Sequence, residues 1–192
     1  MSAAGVETLK PQLEMVRGND PVPAVQNPVD GYALRNVRPD DSHSYSQAFL
    51  TAFDDPSPFP DLMRKMLPQG FFVVEHTPTG AVVAASTAAN YPKAQHPDGF
   101  SLQWVVAHSA HLGTGSGRAT VAAATQVLAD AAPNYSYLST DDFRLPAINI
   151  YLKLGWKPLL FRDGQATRWS SVFEKLGMPF NENEWPTVPV ST

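Results

Sequence analysis

The stretch "HLGTGSGRAT", residues 111–120, constrains the fold more than any other part of the chain. It follows the apolar run "LQWVVAH" and precedes the Ala-rich "VAAATQVLADAA". Glycines alternate at 113, 115 and 117. A strand that enters a helix through glycines leaves unpaired N–H groups at the helix start, where the helix dipole favours an anion. Glycine also admits unusual backbone angles and close approach by a ligand. The expectation is a strand, an anion-binding loop and a helix over 117–132.

Two familiar phosphate loops do not fit. The ATP-type loop requires Lys and then Ser or Thr after its last glycine, and Arg118 and Ala119 stand there. The dinucleotide fingerprint requires a third glycine where Arg118 lies. A third pattern is a basic or amide residue, two arbitrary residues, Gly, one arbitrary residue, then Gly or Ala. "LGTGSG" meets it except at its first letter, Leu112.

The rest of the chain supplies a setting. Alternation predicts strands at 31–39, 70–77, 80–91, 100–108, 135–140 and 156–161, with "PTG" closing a hairpin. Helical spacing predicts helices at 40–53, 61–67, 143–155 and 166–177. Asp142 is expected to cap the 143–155 helix at its start, Pro146 to fit its first turn and Gly155 to end it. Residues 1–29 read as an arm lying on the domain or loosely held, with a short strand at "QLEMV". The fold class is α/β: a mixed, mostly antiparallel sheet with helices on both faces. The expected domain covers 30–162, and 163–192 form a packed C-terminal helix and Pro-rich tail.

With 192 residues, a chain can bury a full core without staples. It has no cysteine, which removes thiol nucleophiles, thiolate metal sites and disulfides. The net charge is −4 and no basic block occurs, so no nucleic-acid partner is expected. No run reaches the roughly 20 apolar residues of a membrane span. "MSAAGVETLK" lacks a basic-then-apolar leader, so the expected location is the cytoplasm. His108 and His111 lack a third ligand in view, and no metal is expected.

At "VVAHSAHLGTGSGRAT" and "AINIYLKLGWKP" the chain resembles the GNAT-type N-acetyltransferases. The first stretch is similar to that family's fourth strand and pyrophosphate loop, the second to its Tyr-bearing helix and following strand. The resemblance covers about residues 30–162. It implies acetyl-CoA as donor and an amine on a small molecule or protein as acceptor. It implies pyrophosphate on the amides of Leu112, Gly113, Thr114, Gly115, Ser116 and Gly117, and pantetheine paired along Val105, Val106 and Ala107. A bulge there would splay two parallel strands. It places at Tyr151 the acid that protonates the departing thiolate. Arg144 stands where many relatives carry Asn facing the cofactor. Leu112 stands where they carry Arg or Gln, and Arg118 is expected to supply the cation instead. Members of the family often dimerise, and a homodimer is open to this chain.

The general base is not evident. The inward positions on the strand before the loop are Ser101 and Gln103, neither basic near neutral pH. Glu75, His76 and Asp98 on nearby segments remain open, as do water and an acceptor that arrives neutral. Asp141 could attract an amine. Trp104 and Trp156 read as core or pocket wall. The missing base and Leu112 keep a second reading open: a coenzyme A-binding module or sensor with weak turnover.

Overall fold

The computed structural model describes residues 11–24 and 27–187. It contains seven strands: β1 Leu13–Arg17, β2 Tyr32–Asn36, β3 Met66–His76, β4 Ala81–Asn90, β5 Phe100–Ala107, β6 Ser136–Thr140 and β7 Lys157–Leu159. The helices are α1 Ser42–Leu50, α2 Phe59–Lys65, α3 Ser116–Ala131, α4 Leu145–Lys153 and α5 Gln165–Lys175. One sheet takes the order β2-β3-β4-β5-β6-β1-β7, antiparallel throughout except for the β5–β6 pair.

Two apolar cores form. Tyr45 and Phe49 of α1, with Phe59 and Leu62 of α2, pack on Phe71, Val73, Val82 and Val106. Val121, Ala124 and Leu128 of α3, Ile148 and Tyr151 of α4, and Trp169 and Phe173 of α5 share the other core with Leu13, Met15 and Trp156. Trp156 is fully buried, and its indole N–H donates to Thr125 Oγ1 at 3.2 Å.

The strand expected at "QLEMV" forms, but inside the sheet rather than on its surface. β1 is antiparallel to both neighbours, pairing from Leu13↔Thr140 to Arg17↔Ser136 on one side and from Glu14↔Leu159 to Val16↔Lys157 on the other. All five of its residues are buried. Its side chains account for the slot: Leu13 and Met15 enter the α3–α4–α5 core, and Val16 packs with Tyr137 and Leu159. Arg17 anchors the exit, donating to the carbonyls of Leu154, Gly18, Asp20 and Pro21.

The cap expected of Asp142 is not made. α4 starts later, after Arg144, and no side chain caps it. Asp142 instead makes a two-pronged ion pair with Arg168 of α5. A bidentate partner across the fold competes better for a carboxylate than two exposed amides do. Pro146 lies in the first turn as expected, and Gly155 follows the helix with φ +86°. β3 begins earlier than the sequence pattern suggests. Its register slips between Met66 and Phe71, where Pro68 has no N–H to give and Gln69 takes φ +55°.

Candidate active site

β5 and β6 run parallel but touch in register only at Ser101↔Tyr137. Beyond that point they diverge. Divergence requires that β5 bend, and a bulge bends it: the register with β4 jumps from Thr87↔Gln103 to Ala85↔Val106. Trp104 and Val105 thus stand opposite Ser86 alone. Trp104 adopts φ +45°, a conformation that costs a non-glycine residue roughly 1–3 kcal/mol. Its indole packs on Phe49 and Phe53, with ring centroids 5.3 Å from each. Ser86 turns away and donates to Ala85 O and Thr120 Oγ1.

The wedge between the strands is a cavity of about 890 Å³. One wall is β5, the other β6 and α4, and the glycine loop closes one end. Gly113 and Gly115 both lie in the left-handed region, at φ +80° and +79°. Gly115 is the N-cap of α3, with no side chain over the helix start. None of the amides from residue 112 to 118 donates to another described group. The first bond of the helix is Ala119 N–H to Gly115 O. Thr114 and Ser116 join hydroxyls at 2.7 Å and stiffen the loop, and Val29 N–H donates to Thr114 O from outside. The loop therefore presents a run of donors to the cavity on the positive end of a 16-residue helix.

The residues singled out in the sequence divide as follows. Val105, Ala107, Leu112, Gly113, Thr114, Gly115, Ser116, Gly117, Arg118, Arg144 and Tyr151 all line the cavity. Val106 is fully buried in the α1–α2 core, so only its backbone could serve a ligand. Leu112 is 67% exposed and offers no polar atom beyond its backbone. Arg118 is exposed and makes no ion pair with a described residue. Tyr151 is 5% exposed, and its hydroxyl has no hydrogen-bond partner among the described residues. Burial pushes its pKa well above the ordinary value, and the nearby Arg144 charge offsets this only partly.

The candidate bases on neighbouring segments do not reach the wedge. Glu75 is held by Arg35. His76 contacts Thr79 and stacks beside Tyr32 and His111. Asp98 sits in an exposed turn. Ser101 is buried and accepts from Gln103 Nε2 at 3.0 Å, and Gln103 reaches the cavity. Asp141 is the one carboxylate among the lining residues; Gln12 and Arg144 donate to its two oxygens. His111 lines the cavity too, and its pKa is lowered by burial, with His76 and His108 adding to the effect.

One group was hidden from the sequence. The loop "PKAQHPDG" meets β1 and β6 at the end of the cavity away from the glycines. Glu14 Oε2 lies 2.7 Å from His96 Nε2, and both side chains are almost fully buried. Lys93 reaches Ser139 Oγ at 2.8 Å and Glu14 Oε1 at 3.6 Å, above the Tyr137 ring. Tyr91 binds Asp61 through a short hydrogen bond and carries Lys65 over its ring. No residue pattern announces the Glu14–His96–Lys93 cluster, because Glu14 joins it only once β1 enters the sheet.

A wedge between splayed parallel strands, closed at one end by a helix start with unpaired amides, marks this as an α/β protein with an open mixed sheet. The family follows from the sequence. A model of the acetyltransferase (GNAT) family matches residues 35–156, and the chain belongs to that family. Solved structures agree on the fold. A GCN5-related N-acetyltransferase from Sphaerobacter thermophilus is similar at 21% identity and TM-score 0.57, over 78% of this chain and 49% of its own. An acetyltransferase from the GNAT family of Colwellia psychrerythraea has 14% identity and TM-score 0.59, over 78% and 53%. A GCN5-related N-acetyltransferase from Kribbella flavida has 19% identity and TM-score 0.53, over 78% and 55%. The chain thus spans about half the length of these structures. No curated protein matches it. Among the described residues, no helix is long and apolar enough to cross a membrane. No group of three or more His, Asp or Glu there could hold a metal ion.

Proposed function

We propose that this chain is an N-acetyltransferase that moves the acetyl group of acetyl-CoA to an amine. The observation that carries the proposal is the run of unpaired amides at 112–118 at one end of the wedge. These donors, with the Arg118 guanidinium beside them, suit a diphosphate. The exposed backbone of Trp104 and Val105 at the bulge suits an extended amide-bearing arm. Leu112 offers only its amide, and Arg118 supplies the cation that position lacks.

Acetyl-CoA supplies an activated acyl carbon. The chain holds it against the acceptor, and this pairing supplies a large part of the acceleration. As the new N–C bond forms, the C–S bond breaks. The Tyr151 hydroxyl protonates the departing thiolate, and the amine gives up one proton to solvent, from which Tyr151 is recharged. An ordinary phenol is protonated at neutral pH, as a donor must be, and burial pushes the Tyr151 pKa further up. Among the described residues, no free carboxylate or histidine stands beside the acceptor end, and in this reading the amine is taken up in its neutral form.

Calorimetry with acetyl-CoA and release of free thiol with an amine panel test the proposal together. Binding in the micromolar range and amine-dependent thiol release are expected. The lack of a base favours one rival, a coenzyme A sensor. Tight binding without release of thiol from any amine would establish it.

A further inference from the structure

The acceptor end of the wedge holds two cationic side chains with donors to spare, Lys93 and Arg144. Four side chains that carry charge at neutral pH line the cavity: Lys93, Arg118, Asp141 and Arg144. Arg118 belongs to the glycine end. At the other end Lys93 and Arg144 line the wall with one carboxylate, Asp141, which Gln12 and Arg144 already occupy, while the buried Glu14 lies behind Lys93 at 3.6 Å. Arg144 uses only its Nε–H on Asp141, at 3.0 Å. Its guanidinium carbon lies over Phe53, 4.4 Å from the ring centroid, and its two terminal nitrogens have no acceptor among the described residues. A planar fork with free N–H groups, fixed by an aromatic face below and a carboxylate behind, is set up for bidentate anion recognition. Lys93 has three donors, of which Ser139 and the more distant Glu14 engage two. His96 and Gln95 already donate to Glu14, so Lys93 is not needed to satisfy it.

We propose that the acceptor is an amine that carries its own anionic group, a carboxylate first of all, held by the Arg144 fork and the Lys93 ammonium. This rests on the acetyltransferase reading above. A polycationic acceptor would place its remaining ammonium groups against these two cations, with no free carboxylate among the described lining residues to meet them. A carboxylate near the amine satisfies the open donors, in a cavity that Gln103, Ser139, Phe53 and Trp104 also line.

The test compares amines that differ only in the anion: phenylalanine with phenethylamine, alanine with ethylamine, and phosphoethanolamine with ethanolamine. The readout is kcat/KM for each, expressed per unprotonated amine. The anionic member is expected to be favoured at least tenfold. Arg144→Met is expected to cut that ratio at least tenfold, and Arg144→Lys to restore part of it. Lys93→Met is expected to cut it about fivefold. If that variant melts early, the double variant Lys93→Met with Glu14→Gln removes the buried charge and answers the same question. Preference for the phosphate pair over both carboxylate pairs would assign the same donors to a phosphorylated amine and overturn the carboxylate. Preference for the uncharged member, or an equal loss on both members in Arg144→Met, overturns the inference while leaving the acetyltransferase standing. Silence on every amine, with acetyl-CoA bound, removes both.

Discussion

From β2 to β5 each strand pairs with its neighbour in the chain, through the α1–α2 excursion, a tight hairpin and a loop. From β6 to β7 nothing does: the strand between them comes from residues 13–17. The two halves meet at one register position, Ser101↔Tyr137, and the cavity opens beside it. A sheet built from neighbours can be continuous, whereas one assembled from remote pieces can afford a seam. The cavity lies at the seam, and Gln12, the residue before the remote strand, is part of its lining.

Four experiments bear on that contrast. Met15→Asp places a charge in the core of the remote half, where nothing can pair with it. A loss of about 4 kcal/mol in urea unfolding is expected, against under about 0.5 kcal/mol for Ala33→Asp on the exposed edge strand β2. Equal losses would mean that β1 is not an interior strand. Tyr151→Phe should lower kcat about 100-fold while the melting temperature holds. Because burial raises the pKa of Tyr151, its proton is retained as pH rises. Loss of kcat at an ordinary tyrosine value of about 10 would contradict the assigned role. Gly115→Val puts a β-branched residue at φ +79° and a side chain at the helix start, where Pro28 is 3.7 Å from a Cβ. Strain of about 1–2 kcal/mol and loss of amide access should weaken acetyl-CoA binding roughly 20-fold by calorimetry.

The smallest effect concerns Glu14. Burial pushes its pKa up, but the bond to His96 and the charge of Lys93 more than reverse this, so it lies below the usual value. A lowered folded pKa contributes stability above the unfolded pKa of about 4.3 and loses it as pH falls through the folded value. Glu14→Gln should cost about 1 kcal/mol at pH 7 and flatten the acid limb of a stability–pH curve.

The neighbour-built half was legible because its evidence is local. Alternation in "GFFVVEHT" and "GAVVAASTAANY", the hairpin signal between them, and the glycines after β5 each sit within a few residues of what they specify. The place of Tyr151 on the cavity wall followed from the family resemblance of its helix and the strand after it. The bulge followed from the family resemblance, not from the residues "LQWVVAH" themselves. β1 showed as five residues of strand character, but no local pattern tells a short strand which neighbours to choose. Everything that depends on that choice was hidden with it: the Glu14–His96 pair, the reach of Lys93, and Gln12 on Asp141. Asp142 shows a different failure, because its sequence position suits a cap while a distant arginine offers a stronger partner.

The placement of β1 also has a consequence for biosynthesis. Arg17 and its partner Ser136 are 119 positions apart. At roughly 5–20 residues per second of translation, the early strand waits on the order of 6–24 s for its first mate to be made. Through that interval its apolar side chains have no groove to enter. The nascent chain must shield them, by local collapse or by a chaperone, before the last third arrives and the sheet can close around them.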